Sequence, residues 1–357
     1  MRKDYFESYR VEKYGEPLQA FSGPVVAPAG RELQLRTRRC GVCHSDLHIA
    51  DGYYDLGGGK KLQMADRNIL PPLTPGHEVV GELVSAGPDA DLSGLVMGRS
   101  YLVCPWIGCG TCERCAKGED NLCLKPCSIG VHRQGGYSDV VTVPEARYLI
   151  DIEGLDPTYA ATLACSGLTA YSAIANGDCP KGDWLGLIGM GGVGSAGLLI
   201  AQGLGYERVL AVDVDAGKLA WARANGAQVA VNARDANAAQ QIKDATGGGA
   251  MAMVDFVGSS ATAQLGIDVL TRGGTYVIVG LFGGDITLPL PSLPMRAITL
   301  RGTYTGNLGD LRALVAMAQS GKLPQLPTET IELARVNEAL ERLRLGTATV
   351  RQVISFD

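Results

Sequence analysis

The chain has 357 residues, 46% of them apolar and 19% charged, with 48 glycines and a net charge of −5. That length exceeds what one hydrophobic core sustains and points to two domains, while the balance of apolar and charged residues excludes a disordered chain. No Lys/Arg run exceeds pairs such as Arg38-Arg39 and Lys60-Lys61, so the basic footprint of a nucleic-acid binder is missing and no such partner is expected.

The opening stretch, MRKDYFESYRVEKYGEP, is charged throughout, and a secretory signal is not expected there. A run of about twenty consecutive apolar residues is also missing, so no membrane partner is expected. The expected setting is a reducing cytoplasm, where ten cysteines read as metal ligands and buried thiols rather than disulfides.

Through roughly residue 150 the chain shows short β-like runs, such as 77–84 and 137–143, broken by Gly and Pro, and reads as irregular β structure. Within it, Cys43-His44-Ser45-Asp46 and Gly76-His77-Glu78 each set a metal-ligating side chain beside a carboxylate able to orient it. Spacing alone does not pair the two, because ligands that converge in space need not be near in sequence. Cys109, Cys112, Cys115 and Cys123 lie within the fifteen residues CGTCERCAKGEDNLC, a spacing that lets four thiolates close around one tetrahedral ion. Four protein ligands leave no place for a substrate, so structural zinc is expected. An iron–sulfur site or redox relay is the competing reading, but the loop lacks the Pro that follows the last cysteine of ferredoxin runs. Cys40, Cys104, Cys127 and Cys179 read as packing thiols.

After residue 160 the texture changes. Strands are expected at 184–188, 208–214, 252–257 and 275–279, and helices at 193–204, 217–225 and 261–270. Such alternation specifies a parallel sheet covered on both faces, an α/β architecture. Gly189-Met190-Gly191-Gly192-Val193-Gly194 is a G-x-G-x-x-G between an apolar run and a helical pattern, where a dinucleotide fold turns tightly and admits a pyrophosphate to a helix N-terminus. Asp213 closes the next strand, nineteen residues after Gly194. A carboxylate there accepts from the adenosine ribose hydroxyls and repels a 2′-phosphate, favouring NAD over NADP. Asp215 reads as a solvated or capping side chain. Beyond residue 300, helices at 308–319 and 335–343 and a final strand at 350–356 are expected.

GVCHSDLH, PGHEVVG, the four-cysteine loop, LACSGLTA, GMGGVG and VDVDAGK, in that order and spanning nearly the whole chain, resemble the zinc-containing alcohol dehydrogenases of the medium-chain dehydrogenase/reductase family. The resemblance implies a β-rich GroES-like catalytic domain carrying the structural zinc loop, formed by residues 1–165 and 302–357. A Rossmann-type doubly wound NAD-binding domain would be formed by 166–301. It implies two zinc ions per chain, the catalytic one held by Cys43, His77 and Cys165 with one place open to the alcohol, whose pKa it lowers so that hydride can pass to the nicotinamide. Asp46 and Glu78 match orienting carboxylates, and Glu78 matches a residue able to approach the metal itself. Ser45 matches the hydroxyl that touches the reacting oxygen, and His48 the last step of a proton relay to solvent. For the cofactor, His44 and Arg351 match residues at the pyrophosphate, Lys218 one at the adenosine ribose, and Thr169 one behind the nicotinamide. His132 keeps a structural reading.

The stretch 57–66, GGGKKLQMAD, is longer than in many relatives and cannot be core. Because it follows Tyr53-Tyr54, it is expected at the cleft rim or at a subunit contact. Tyr54, Trp106, Leu281 and Phe282 are the candidates for the substrate pocket. The expected activity is interconversion of an alcohol with its aldehyde or ketone. A polyol or sugar-alcohol dehydrogenase of the same fold is the nearer rival, which Cys165 disfavours because those relatives often carry a carboxylate there. A non-catalytic zinc-binding module is the rival of another class. By analogy with the family a homo-tetramer is expected, with a homo-dimer as the alternative.

Overall fold

The structure is a computed structural model that describes residues 4–357; the first three residues of the charged opening stretch lie outside the described residues. Among the described residues the chain builds two large sheets and two two-stranded ones; one apolar cluster spans both large sheets, and a second lies within the parallel-sheet lobe. Among the described residues the first sheet runs in the order Thr328–Glu332, Arg351–Ser355, Leu33–Gly41, Glu78–Ala86, Ser100–Val103, Leu149–Asp151, with Val140–Val143 also paired to Leu33–Gly41. Its pairings are antiparallel except for Thr328–Glu332 on Arg351–Ser355. The chain's last strand is thus laid beside one of its first, which brings Arg351 next to Glu78.

The second sheet is parallel, in the order Val229–Asn232, Arg208–Asp213, Trp184–Ile188, Ala250–Asp255, Leu270–Ile278, Thr299–Gly302. Strands such as Trp184–Ile188 and Ala250–Asp255 are buried along nearly their whole length, as a sheet covered by helices on both faces requires. Each fully buried Leu, Ile or Val in them contributes about 1.5–3 kcal/mol relative to an exposed one. The strand order reverses at Trp184–Ile188, the place where open α/β sheets take a ligand.

Several elements differ from the sequence expectation. The strand expected at 275–279 begins at Leu270, and the helix before it is Ser260–Asp268. The run 137–143 is a strand over Val140–Val143, and before it the backbone turns to another partner: Ser138 bridges Ser8, with Tyr9 N donating to Tyr137 O and Asp139 N to Glu7 O. Val229–Asn232, Ala238–Thr246 and Thr299–Gly302 were not anticipated. Gly302, expected to open the returning segment, still pairs with Ile278 in the parallel sheet. The stretch after Tyr54 closes an antiparallel pair, Tyr53–Asp55 with Lys61–Gln63. Its tip abuts the parallel-sheet lobe: a Cβ on Gly57 would come within 2.8 Å of the Gly284 backbone, and one on Gly283 within 2.8 Å of the Asp55 carbonyl oxygen.

Candidate active site

Cys43 ends the turn after Leu33–Gly41 and stands at the start of the helix His44–Asp51, which fixes its Sγ at a helix mouth. His77 immediately precedes Glu78–Ala86, the strand paired with Leu33–Gly41, so sheet register brings the two side chains together. Cys165 arrives from the other side, on one turn of π-helix, Leu163–Gly167, set between the helices Pro157–Thr162 and Leu168–Ala175. Such single π-turns are frequent at functional sites because the extra residue re-aims a side chain. Cys43 Sγ and Cys165 Sγ are 3.9 Å apart, and the ligand atoms of Cys43, His77, Glu78 and Cys165 all lie within 4.8 Å of one another.

The residues fit a zinc ion. A tetrahedral zinc with Zn–S of about 2.3 Å holds two thiolates about 3.8 Å apart. His77 is fully buried and its Nε2 has no hydrogen-bond partner, an expense that metal coordination removes. Cys43 is held well below the usual thiol range, mainly by the hydrogen bond from Cys165 and, against burial, by His77, while Cys165 is pushed well up. One thiolate is therefore already favoured, as a cation site needs.

Asp46 is fully buried behind these ligands. It accepts from Cys43 N (2.9 Å), Gly76 N (3.1 Å) and Tyr137 Oη (2.7 Å). His77 Nδ1 stands 3.2 Å from Asp46 Oδ1 without the alignment of a good hydrogen bond. Asp46 thus ties the loop of Cys43 to the loop of His77. Glu78 points one oxygen at Arg351, its ion-pair partner, and leaves Oε2 unpartnered within reach of the ligand set. Burial lifts Glu78 to about 7 even against Arg351. Ser45 Oγ is 3.7 Å from Cys43 Sγ. Burial, and then His44, lower the pKa of His48, so its imidazole is neutral near pH 7. The His48 ring packs on Tyr54 at 4.9 Å, whereas His44 is exposed. Trp106 closes one wall, with its ring 5.4 Å from His77 and its Nε1 donating to Ala164 O at 3.1 Å.

The glycine turn follows Trp184–Ile188 and opens the helix Gly192–Gly203. Gly189 has φ +88, and a Cβ on Gly194 would overlap the Gly189 carbonyl oxygen. Around Gly191 there is open space, while beside Gly192 lies Arg351, whose Nη1 a Cβ would meet at 3.3 Å. This cradle fits a pyrophosphate at a helix N-terminus. Asp213 clasps the turn from the next strand, accepting from Met190 N at 2.6 Å and from Val214 N and Asp215 N at 2.7 and 2.9 Å. Asp215 caps the helix Ala216–Ala224 through Lys218 N. Thr169 is buried on Leu168–Ala175.

Cys109, Cys112, Cys115 and Cys123 form a second group of ligands within 4.8 Å of one another. Cys109 N and Lys125 N donate to Cys123 Sγ at 3.3 Å each. Backbone and side-chain donors of Thr111 draw Cys109 down to about 6, whereas burial pushes Cys115 up to about 12. All ten cysteines are free thiols. Cys40, Cys104 and Cys179 are buried in the core.

Leu281 and Phe282, expected to line the inner pocket, are 50% and 75% exposed in the single chain. The chain leaves the parallel sheet after Leu270–Ile278 and crosses the surface through Gly283 and Gly284. Sequence reasoning also missed Tyr137, whose only signal was an aromatic residue in a β-like run.

These two thiol-rich sites and the glycine cradle sit in a chain whose residues 29–154 match the alcohol dehydrogenase GroES-like domain and residues 192–320 the zinc-binding dehydrogenase domain. An NAD-dependent alcohol dehydrogenase of Sulfurisphaera tokodaii is 32% identical over 97% of this chain and 98% of its own. The chain belongs to the zinc-containing alcohol dehydrogenases of the medium-chain dehydrogenase/reductase family. A second relative, the NAD-dependent alcohol dehydrogenase of Sulfolobus acidocaldarius, is 33% identical over 96% of this chain and 98% of its own. The crystal structure of the alcohol dehydrogenase from Aeropyrum pernix superposes with a TM-score of 0.87 at 29% identity, covering 98% of this chain and 99% of the other. Family membership gives the GroES-like and Rossmann-type folds to the two sheets described above.

Proposed function

We propose that the protein oxidises an alcohol to its aldehyde or ketone with NAD, and the reverse, at the site formed by Cys43, His77 and Cys165. One observation carries this reading: Arg351 pairs with Glu78 at the metal-ligand set while lying against Gly192 of the glycine turn. The same guanidinium thus joins the place for a metal to the place for a pyrophosphate. Zinc would supply Lewis acidity to the alcohol oxygen, and NAD would accept the hydride. Cys43, His77 and Cys165 would hold the metal, with Asp46 orienting His77 and Glu78 able to approach. Ser45 would contact the alcohol hydroxyl. His48, neutral near pH 7, would take the released proton on toward solvent.

Gly189, Gly191, Gly192, Val193 and Gly194 would receive the pyrophosphate together with Arg351 and His44, Asp213 and Lys218 would hold the adenosine ribose, and Thr169 would stand behind the nicotinamide. Tyr54 and Trp106 would wall the substrate cleft. Cys109, Cys112, Cys115 and Cys123 would hold the structural zinc. We propose a division into domains at 1–165 with 303–357, and 166–302, Gly302 closing the last strand of the parallel sheet. A second copy would cover the outer edge of the parallel sheet, where Thr299–Gly302 is exposed and Phe282, Leu290 and Met295 stand in the open. A homo-tetramer built on such a dimer is the proposed assembly. Among the described residues no helix is long and apolar enough to cross a membrane, and the free thiols suit the proposed cytoplasmic setting.

The test is NAD reduction across primary, secondary, aromatic and polyol alcohols, with metal analysis of the same preparation. Two zinc ions per chain are expected, one removed by chelator together with activity. A single tightly held zinc and no NAD binding would instead support a non-catalytic module. Replacing Asp213 with Gly is expected to lower kcat/KM for NAD about tenfold to a hundredfold, the loss of hydrogen bonds to one charged group, while raising the NADP/NAD ratio. An unaltered ratio sinks the cofactor assignment.

A further inference from the structure

Arg67 ends the short 3-10 turn Ala65–Arg67, just beyond the Tyr53–Asp55 and Lys61–Gln63 hairpin, and takes no part in the reading above. It is half-buried, with its guanidinium carbon 5.7 Å from the centre of the Tyr54 ring. None of the ion pairs among the described residues involves it. Burial opposes its charge, and the phenols of Tyr304 and Tyr54, which accept hydrogen bonds from it, more than offset that and raise its pKa.

Its surroundings lead straight to the metal-ligand set. Tyr54 packs on His48 at 4.9 Å, and Tyr304 meets Trp106 at 6.1 Å, which in turn faces His77 at 5.4 Å. Burial, and then the charge of Arg67, lower the pKa of His132, and its Nδ1 is buried without a partner. The loop of His132 is pinned to the segment bearing His77 by Gly135 N donating to Thr74 O and Gly136 N to Gly76 O, both at 2.7 Å. Thr305, next to Tyr304, has a buried Oγ1 that is also unpartnered.

A half-buried guanidinium without a counter-ion is costly, and a planar fork of N–H donors matches a carboxylate. The groups it acts on are an imidazole and two phenols, each of which can donate. A dianionic phosphate would call for more than one cation, whereas one carboxylate matches the single positive charge. We propose that Arg67, with His132 Nδ1 in its N–H form and the Tyr54 and Tyr304 hydroxyls, forms a subsite for a substrate carboxylate. The preferred substrates are then hydroxy acids whose carbinol and carboxylate are separated by an apolar spacer running along Tyr54 and Trp106. This rests on the alcohol dehydrogenase reading and narrows its substrate class. The reaction balances as hydroxy acid plus NAD⁺ giving oxo acid, NADH and one proton, the carboxylate being unchanged.

The test compares ω-hydroxycarboxylates of four to eight carbons with 1-alkanols of matched length, using the zinc-loaded enzyme and its Arg67→Met and Arg67→Lys variants. For the wild type, kcat/KM for the best hydroxy acid is expected to exceed that of its alkanol by about tenfold to a hundredfold, carried by KM and shrinking as salt is raised. Arg67→Met is expected to bring that ratio near one, and Arg67→Lys to restore part of it. A merely structural role for Arg67 would lower both substrates alike and leave the ratio in place, which overturns the proposal. A second measurement needs no variant: hexanoate is expected to compete with 1-hexanol on the wild type far better than hexanamide does, and equal inhibition overturns the subsite. If neither substrate series reduces NAD, the activity reading falls and the subsite with it; if alkanols react without any preference for the carboxylate, only the subsite falls.

Discussion

Replacing Cys43 with Ala is expected to lower kcat by about a thousandfold or more, since Lewis-acid stabilisation is worth several kcal/mol and each 1.36 kcal/mol is tenfold in rate. The fold should survive. What holds the loop of Cys43 is its backbone N–H on Asp46, and Asp46 in turn is held by Gly76 N and Tyr137; none of these bonds uses the thiol. The variant keeps His77 and Cys165 but loses the thiolate that the site favours. Zinc content should therefore fall from two ions to one per chain, with far-UV circular dichroism unchanged. Wild-type turnover in a preparation free of added metal would remove Cys43 from the ligand set.

Replacing Cys109 with Ser is expected to act in the opposite order, on stability first. The loop from 109 to 123 has almost no core of its own: of its apolar side chains Leu122 is exposed, and the following Leu124 is 94% exposed. Its order comes from the converging thiols and from Asp120, which accepts from Tyr148 Oη at 2.9 Å and Arg147 Nη2 at 3.1 Å. In such a segment metal binding energy is folding energy. The thermal midpoint is expected to drop by about 10 °C, the equivalent of a few kcal/mol in a chain of this size. Activity should follow as a consequence, because Asn121 Nδ2 donates to Tyr304 O at 2.8 Å and Tyr304 packs on Trp106 beside His77. A midpoint within a degree or two of the wild type, with one zinc lost, would show that the metal does not hold this loop.

The two variants separate what was legible in the chain from what was not. The four-cysteine loop and the glycine turn are local: their ligands and glycines act within one short segment, so spacing carries the geometry. The parallel-sheet strands were legible for a related reason, since burial on both faces leaves unbroken apolar runs. Val229–Asn232 and Thr299–Gly302 escaped because they are short, partly or wholly exposed edge strands without such a run. Leu281 and Phe282 form an apolar pair after a buried strand, a pattern that does not show that the chain turns out over the surface there.

By itself the sequence determined the chemical vocabulary of this protein: thiols at metal-ligand spacing, a dinucleotide turn with its acidic partner, and the ordered motifs of one family. Tertiary structure alone decided which of these meet. Sheet register set His77 against Cys43, a π-turn brought Cys165 across, and the return of the last strand carried Arg351 to both Glu78 and Gly192. Arg67 and His132 had no motif to mark them, and only the packing of the 65–67 turn against Tyr54 brings out a half-buried cation with no ion-pair partner among the described residues. The physical reason is that bonding within a segment is encoded by spacing, while convergence of distant segments depends on how the whole core closes.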